Sequence, residues 1–517
     1  MLSDRSAEVF TLAVNGEVEK ALHLAHATLD HEDLVEAAGT DVAGLWYAVA
    51  SAQLYDGSPD EAATAADHCV AAARSHDSSG WLSCALSIRA MAYVRMQRLD
   101  EALHDLARSE AELADCADPA LRCWAHTGLG YAYQELRLYE LAEPHLVAAQ
   151  QIDASPMPFA DAPVIDLMNL ADMYARWADE LERARPHPGS WQEAARHRLR
   201  ANGYATLAVA KARRLSSGLL PSAQAVELCT RPRDLAEASI PELRAAYADT
   251  RHQVFLGSQA MVGGALARAL WRTGRRDEAL VLLREAVTAS TGATDWQVEA
   301  SARWLLVEME HEAGLPGADA GRSYARLLSR VLWRQRLSTL AGAEATLAME
   351  RLRHDNTVAH RAAQEDALTG VGNRRALDDA LEDAGLGQRR SDDATSMLLV
   401  DLDGFKAFND SYGHLVGDRV LRAVADAIRN AARAEDLVAR LGGDEFVVLA
   451  RGTDEAAAQQ LAARVRSALA AVRVETPDGP RPVSASVGVR TTGDDLAVAD
   501  LLHAADEAMY GVKRGVR

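Results

Sequence analysis

The sequence predicts a multidomain chain: an all-α helical-repeat solenoid over residues 1–325, a connecting helix over 326–365, and an α+β domain over 366–517. Three observations carry this. Ala21, Ala62, Ala102 and Ala142 recur 41, 40 and 40 residues apart in sequence rich in Ala, Leu, Glu and Arg. From Asp366 onward, short apolar runs alternate with helical stretches. Two of those runs, Leu437-Val438-Ala439 and Val447-Val448-Leu449, flank Gly442-Gly443-Asp444-Glu445-Phe446, and paired glycines between strand-like segments close a tight hairpin.

In the first part the marker alanines sit in Glu19-Lys20-Ala21, Asp60-Glu61-Ala62, Asp100-Glu101-Ala102 and Glu140-Leu141-Ala142. Turn-like segments such as Asn15-Gly16 and Asp56-Gly57-Ser58-Pro59 precede some copies. The small residue lets two helices approach closely, the turn opens the second helix of a hairpin, and a fixed period marks a helical solenoid. Leu129-Gly130, Tyr133 and Ala142, and again Ala90, Tyr93 and Ala102, resemble the small–aromatic–small pattern of tetratricopeptide repeats. The period here is longer than the usual ~34 residues. Arg272-Thr273-Gly274-Arg275-Arg276-Asp277-Glu278-Ala279 looks like a further copy, while Pro156, Pro158, Pro163, Pro186, Pro188, Pro221 and Pro232 blur the pattern in between. A solenoid presents a concave surface, which favours a binding module over an inert spacer.

Val331-Leu332-Trp333, Leu337, Leu340, Leu347 and Leu352, set among Arg, Glu and Gln, predict one long amphipathic helix. Glu344, Arg351 and His354 break a strict heptad, so the helix reads either as packed on the last repeat or as a dimerising connector, and the two are compatible. Beyond it the expected elements are helix 374–384, strand 397–402, helix 414–434, a hairpin of 437–441 and 446–449, helix 455–471, strand 483–490 and helix 496–512. That order predicts a mixed sheet with helices on one face.

Length sets a prior of about two to four domains. With 49% hydrophobic and 25% charged residues the composition is that of a globular protein. No apolar run approaches the roughly 18 residues that span a bilayer, and Met1-Leu2-Ser3-Asp4-Arg5 lacks a signal-peptide core, so a cytoplasmic location is expected. Cys69, Cys84, Cys116, Cys123 and Cys229 show no metal-ligand spacing and read as buried thiols. A formal charge of −20 argues against nucleic acid and anionic membranes as partners, though not against a metal-neutralised triphosphate.

Two acidic turns carry the chemistry. Asp444 and Glu445 lie at the hairpin tip, where carboxylates pack poorly and can hold a divalent cation. Asp401-Leu402-Asp403-Gly404-Phe405-Lys406 follows the buried-looking run Met397-Leu398-Leu399-Val400. Acids at two strand ends, one with Gly and Lys beside it, are the parts needed to hold a metal-bound nucleotide phosphate.

Here the chain resembles the GGDEF family of diguanylate cyclases over about 150 residues, from Asp366 to Arg517. Asp366-Ala367-Leu368-Thr369-Gly370 with Gly372-Asn373-Arg374-Arg375 is similar to the family's opening signature. The turn from Asp401, then Asn409-Asp410 and Gly413-His414-Leu415-Val416-Gly417-Asp418, fit its first motif block, and Arg440-Leu441 leads into the pentapeptide. Val483-Ser484-Ala485-Ser486-Val487-Gly488 looks like the late strand, and Ala504-Ala505-Asp506-Glu507-Ala508-Met509-Tyr510 with Lys513 and Arg517 looks like the last helix.

The resemblance implies a ferredoxin-like palm, two GTP joined into cyclic di-GMP, and Mg2+ (or Mn2+) as cofactor. It implies metal ligation by Asp401, the Leu402 carbonyl, Asp444 and Glu445, with Glu445 alternatively helping to deprotonate the attacking hydroxyl. It makes Gly442 and Gly443 part of the catalytic turn. Gly404, Phe405 and Lys406, with Lys513 and Arg517, become phosphate ligands, and Asn409 and Asp418 guanine readers. Read alone, Asn409-Asp410 also suits a turn and Asp418 a helix cap. Arg433-Ala434-Glu435-Asp436 resembles the family's inhibitory RxxD site for cyclic di-GMP, although Arg and Asp three apart are also an ordinary surface pair.

The expected protein is a homodimeric diguanylate cyclase regulated by its helical repeats, whose ligand could be a protein, a peptide or a small molecule. The alternative is a catalytically silent signalling protein that binds GTP or cyclic di-GMP. A third reading is an interaction scaffold. No EAL-type phosphodiesterase region is visible.

Overall fold

A computed structural model describes residues 2–14, 17–30, 41–152, 161–231, 239–249, 258–289, 296–387, 394–492 and 496–515. The chain divides into two compact units, Met1–Leu352 and Arg353–Arg517.

The first unit is helical. It begins with α1 (Leu2–Val14), α2 (Val18–Leu29), α3 (Asp41–Asp56), α4 (Pro59–Ser75), α5 (Ser79–Arg95) and α6 (Leu99–Ala114). There follow α7 (Pro119–Glu135), α8 (Tyr139–Gln151), α9 (Ala162–Ala184), α10 (Ser190–Leu215), α11 (Leu220–Thr230) and α12 (Ile240–Asp249). The series ends with α13 (Ser258–Arg272), α14 (Arg276–Ala289), α15 (Trp296–Glu312) and the long α16 (Ala318–Gln364).

Ala21, Ala62, Ala102 and Ala142 each occupy the fourth position of α2, α4, α6 and α8 and have no exposed surface. Ala279 does the same in α14. Two residues before α4, α6, α8 and α14 the chain turns through a left-handed residue: Gly57 (φ 82°), Gln97 (φ 59°), Arg137 (φ 63°) and Gly274 (φ 82°). The repeat is therefore a backbone device as well as a packing one. Glycine marks the turn in two copies only, because Gln and Arg accept the same conformation at a small steric cost. Asn15-Gly16 lies outside the described residues.

The prolines that blur the period open helices rather than break them. Pro163 and Pro221 sit in the first turn of α9 and α11, where the missing N–H would be unpaired anyway. Pro186 and Pro188 lie in the connection between α9 and α10, while Pro156, Pro158 and Pro232 fall outside the described residues. Cys69, Cys84, Cys116 and Cys123 are free and buried, Cys229 free and partly buried.

The connecting helix contacts the helix before it, with Arg322 donating to Glu308 at 2.7 and 2.9 Å, and also reaches earlier repeats. Part of α16 lies against middle repeats: Arg336 donates to the Arg137 carbonyl at 2.6 Å and to Glu140 at 2.6 Å, and Arg351 reaches Glu110 at 2.9 Å. Arg336 lies between the rings of Tyr139 and Trp333, and Ala343 and Leu347 join the same core. Leu337 and Leu352 stay exposed, so only half of the expected apolar stripe is used.

The second unit contains α17 (Arg374–Gly387), β1 (Ser396–Leu402), α18 (Phe405–Tyr412), α19 (His414–Ala431), β2 (Leu437–Gly442), β3 (Glu445–Ala450) and α20 (Glu455–Ala471). A small hairpin, β4 (Arg473–Thr476) and β5 (Gly479–Pro482), precedes β6 (Ala485–Thr491) and α21 (Leu501–Gly515). The sheet order is β2-β3-β1-β6 and each neighbouring pair is antiparallel, which corrects the expected mixed sheet. Helices cover both faces, not one. Leu398, Val400 and Leu402 face α19 and α20, while Met397 and Leu399 face α17 and α21. The unbroken apolar run of β1 is the signature of a strand buried on both sides. Two elements went unpredicted: α18, and the hairpin turned by Pro477-Asp478-Gly479, a good turn sequence.

Overpacking a repeat contact should be costly. Ala102→Leu is expected to destabilise the helical unit by about 1–3 kcal/mol. Thermal unfolding checks this, and an unchanged midpoint would show that the close helix approach is not needed.

Candidate active site

Antiparallel pairing of β1 with β3 sets Asp401 directly opposite Glu445. The Leu402 amide donates to the Asp444 carbonyl at 3.3 Å, which draws the hairpin tip onto the end of β1. Asp401, Asp444 and Glu445 therefore gather at one end of the sheet. The tip depends on glycine, with Gly442 at φ 145° and Gly443 at φ 55°.

Arg440 holds that shape. Its guanidinium donates to the Gly443 carbonyl at 2.7 and 3.1 Å and to both oxygens of Asp366 at 3.1 and 3.2 Å. Asp366 also accepts from the Thr369 hydroxyl and amide at 2.6 and 3.0 Å. Burial alone would raise the Asp366 carboxyl, but Thr369 and Arg440 hold it below its ordinary value. Both residues belong to sequence motifs, yet neither motif carries a local signal of this tie, which spans 74 residues.

Lys513 comes from α21, whose buried row Leu501, Ala505, Met509 continues four residues later at Lys513. Its ammonium lies 2.5 Å from Asp401. Burial would lower the Lys513 pKa, but Asp401 raises it on balance. Asp403, in the same turn, is otherwise engaged: Ser484 and Ser486 each donate to it at 2.8 Å. The turn thus divides its two acids between framework and site.

Glu445 has its carboxyl raised above the ordinary value by burial first, then by the charges of Asp401, Asp444 and Asp506. This crowding is the electrostatic signature of a place that gains from a cation. As the side chains stand, no three His, Cys, Asp or Glu groups among the described residues converge on one metal-sized point. The donor chemistry nonetheless fits a hard divalent ion, and the Lys513 ammonium already stands in as counter-charge at Asp401.

Beside the acids, Gly404 (φ 71°) caps α18 without a side-chain bond, leaving the amides at Phe405 and Lys406 for an external acceptor. Lys406 itself is exposed. Asn409 lies inside α18, not in a turn, and its Oδ1 is buried without a partner. That oxygen sits where a Cβ on Gly417 would be, at 1.8 Å, so only glycine at 417 admits it. Asp418 is partly buried in α19, which has no side-chain cap, so the capping alternative does not hold. A hollow of about 280 Å³ opens between Leu402, Phe405, Phe408 and Val483, and neither Asn409 nor Asp418 lines it.

Arg433 and Asp436 form a turn in which the Arg433 amide donates to Asp436 at 2.8 Å. The Arg433 side chain is exposed, and Asp436 Oδ1 is buried and unpaired. Arg517 lies outside the described residues.

Residues 363–517 match the family model described as diguanylate cyclase, GGDEF domain, and this part of the chain is a GGDEF domain. It is 37% identical over 155 residues to the diguanylate cyclase DgcP of Pseudomonas aeruginosa, covering 30% of this chain and 23% of that protein. It is also 37% identical over 160 residues to the cyclic di-GMP phosphodiesterase PdeR of Escherichia coli, again 30% of this chain and 23% of the relative. The crystal structure of the coiled coil and GGDEF domain of DgcB from Caulobacter crescentus, in complex with c-di-GMP, aligns at a TM-score of 0.32 and 29% identity, over 34% of this chain and 93% of that one. No described helix is long and apolar enough to cross a membrane.

Because the folded state binds a proton at Glu445 more tightly than the unfolded chain does, stability should fall as pH rises through the window above the ordinary glutamate value. Glu445→Gln removes that repulsion. In chelator at neutral pH it is expected to raise the unfolding midpoint and flatten the acid-to-neutral slope; a lowered midpoint would contradict the crowding.

Proposed function

We propose that the C-terminal domain is an active diguanylate cyclase, condensing two GTP into cyclic di-GMP with release of two pyrophosphates. The observation that carries this reading is the gathering of Asp401, Asp444 and Glu445 beside Lys513 and the open amide end of α18. A divalent cation, Mg2+ or Mn2+, bound by Asp401, Asp444, Glu445 and the Leu402 carbonyl, supplies neutralisation of the triphosphate and a lowered pKa for the attacking 3′-hydroxyl. Gly442 and Gly443 shape the tip that presents these acids. The amides of Gly404 and Phe405, with Lys406 and Lys513, hold the β- and γ-phosphates, and Arg517 adds a further cation from the chain end. Asn409 Oδ1, buried and unpaired, and Asp418 supply acceptors for the N1–H and N2 amine that distinguish guanine from adenine. As an alternative to ligating the cation, Glu445 helps to deprotonate the 3′-hydroxyl.

Each domain offers one nucleotide site, so two chains must meet to form both bonds, and the active species is a homodimer. The helical unit regulates that meeting. Arg433 and Asp436 bind the product as a feedback site separate from the acids: the exposed guanidinium meets phosphate and the unpaired Asp436 oxygen accepts from guanine.

Incubation with GTP and Mg2+ should yield cyclic di-GMP. Asp444→Asn should lower turnover by at least about 100-fold with the unfolding midpoint preserved, and Asp418→Ala should cut the preference for GTP over ATP by about 10-fold or more. Full turnover in the first variant removes the metal role; an unchanged preference in the second removes the guanine role.

Activity per chain should rise with protein concentration, and Arg433→Ala should keep its activity while losing inhibition by added cyclic di-GMP. Concentration-independent turnover, or equal inhibition of both proteins, overturns the corresponding part.

A further inference from the structure

Among α9, α10, α11, α13 and α15 the helical unit holds two open hollows of about 70 and 160 Å³. They share Asp179, Arg198, Arg268, Ser301 and Leu305 and so lie side by side. The walls of the first are largely apolar, with Val226, Met261 and Ala302 among them, and Trp304 faces the second.

The charges around this space do not balance. Five arginines line it against four carboxylates. Arg198 is satisfied by Asp179 at 2.7 Å and Glu182 at 2.9 Å, and Arg176 by Asp172 at 2.6 Å. Arg183 donates to Ser301 at 2.7 Å and Arg185 to the Glu182 carbonyl at 3.4 Å, while Glu308 pairs with Arg322 at 2.7 Å. Arg268 has no such bond among the described residues. Burial lowers its pKa first, Asp179 opposes this from a distance, and the Arg198 charge lowers it further. Arg268 is thus a partly exposed guanidinium that faces a largely apolar space with no hydrogen bond among the described residues to hold it.

We propose that this space is a binding site for a small amphipathic monoanion, a carboxylate on an apolar body, with Arg268 as its charge partner. A net excess of one positive charge suits one carboxylate, which the planar fork of Arg268 can hold through two parallel bonds. The apolar walls suit the remainder of a small ligand. The inference goes beyond the cyclase reading and does not depend on it.

Calorimetric titration of the full chain with octanoate and, separately, octanamide and inorganic phosphate tests it without using cyclase activity. Octanoate should bind and raise the unfolding midpoint, and the neutral amide and phosphate should bind at least about 10-fold more weakly. Arg268→Gln, which removes a desolvated charge and so should fold, is expected to weaken octanoate binding by about 10-fold or more. Gly264 also lines the space, and a Cβ there meets only Leu305 at 3.7 Å. Gly264→Leu should therefore fill the cavity and abolish binding with every charge retained. Absence of octanoate binding, equal binding of octanamide or phosphate, or undiminished binding in either variant overturns the proposal.

Discussion

The geometry of the GGDEF site rests on one guanidinium. Arg440 leaves β2 and binds the Gly443 carbonyl on one side and the Asp366 carboxylate on the other. The first contact fixes the hairpin tip that carries Asp444 and Glu445. The second anchors the segment before α17, where Gly372 donates to the Val438 carbonyl and accepts from the Arg440 amide, at 2.9 and 2.7 Å. That segment covers the outer edge of β2, which would otherwise offer unpaired backbone groups. Asn373 completes the arrangement by bonding the Ala363 carbonyl at the end of α16 and the Ala376 amide at the start of α17. Opening motif and acidic tip are thus one mechanical unit, though 74 residues apart.

The sheet supplies the rest of the precision. β1 is central and buried on both faces, so its register against β3 cannot slip by one residue without turning the apolar set over. The same register puts Asp401 opposite Glu445. Helix α21 then brings Lys513 to Asp401 because its buried row advances by four residues at a time. Lys513 pairs with Asp401, but the three acids, one from β1 and two from the hairpin, are placed by core packing and not by contacts with one another. This matters because their mutual charges oppose the arrangement, as the raised Glu445 pKa records.

Much of this was legible in the sequence, for identifiable reasons. The repeat was visible because close helix contact demands alanine at one position, and Ala21, Ala62, Ala102, Ala142 and Ala279 are all fully buried. The hairpin was visible because positive φ at Gly442 and Gly443 demands glycine. What failed were inferences that need partners in space. Helices on both faces of the sheet depend on what meets Met397 and Leu399, which the run itself does not say. Helix α18 was hidden because its eight residues carry no fully buried side chain. The Arg440–Asp366 tie, the division of labour between Asp401 and Asp403, and the buried Arg336 are long-range pairings without a local signature.

The two units differ in where their charged groups meet. In the helical unit acids and bases close to the core are mostly matched, as in Arg137 with Glu180 at 2.6 Å and Arg89 with Asp105 at 2.7 Å. Such pairs orient helices, although single atoms such as Arg336 Nη1 and Gln134 Oε1 stay buried without a partner. In the GGDEF domain the unmatched groups cluster instead: like charges at Asp401, Asp444 and Glu445, a bare oxygen on Asn409, another on Asp436. Each costs folding free energy as it stands, and each is held by neighbours that are themselves fully bonded, such as Asp366 and Arg440. Stability is thus concentrated in the frame and withheld from the acids, which is the distribution that a site completed by a cation and an external ligand requires.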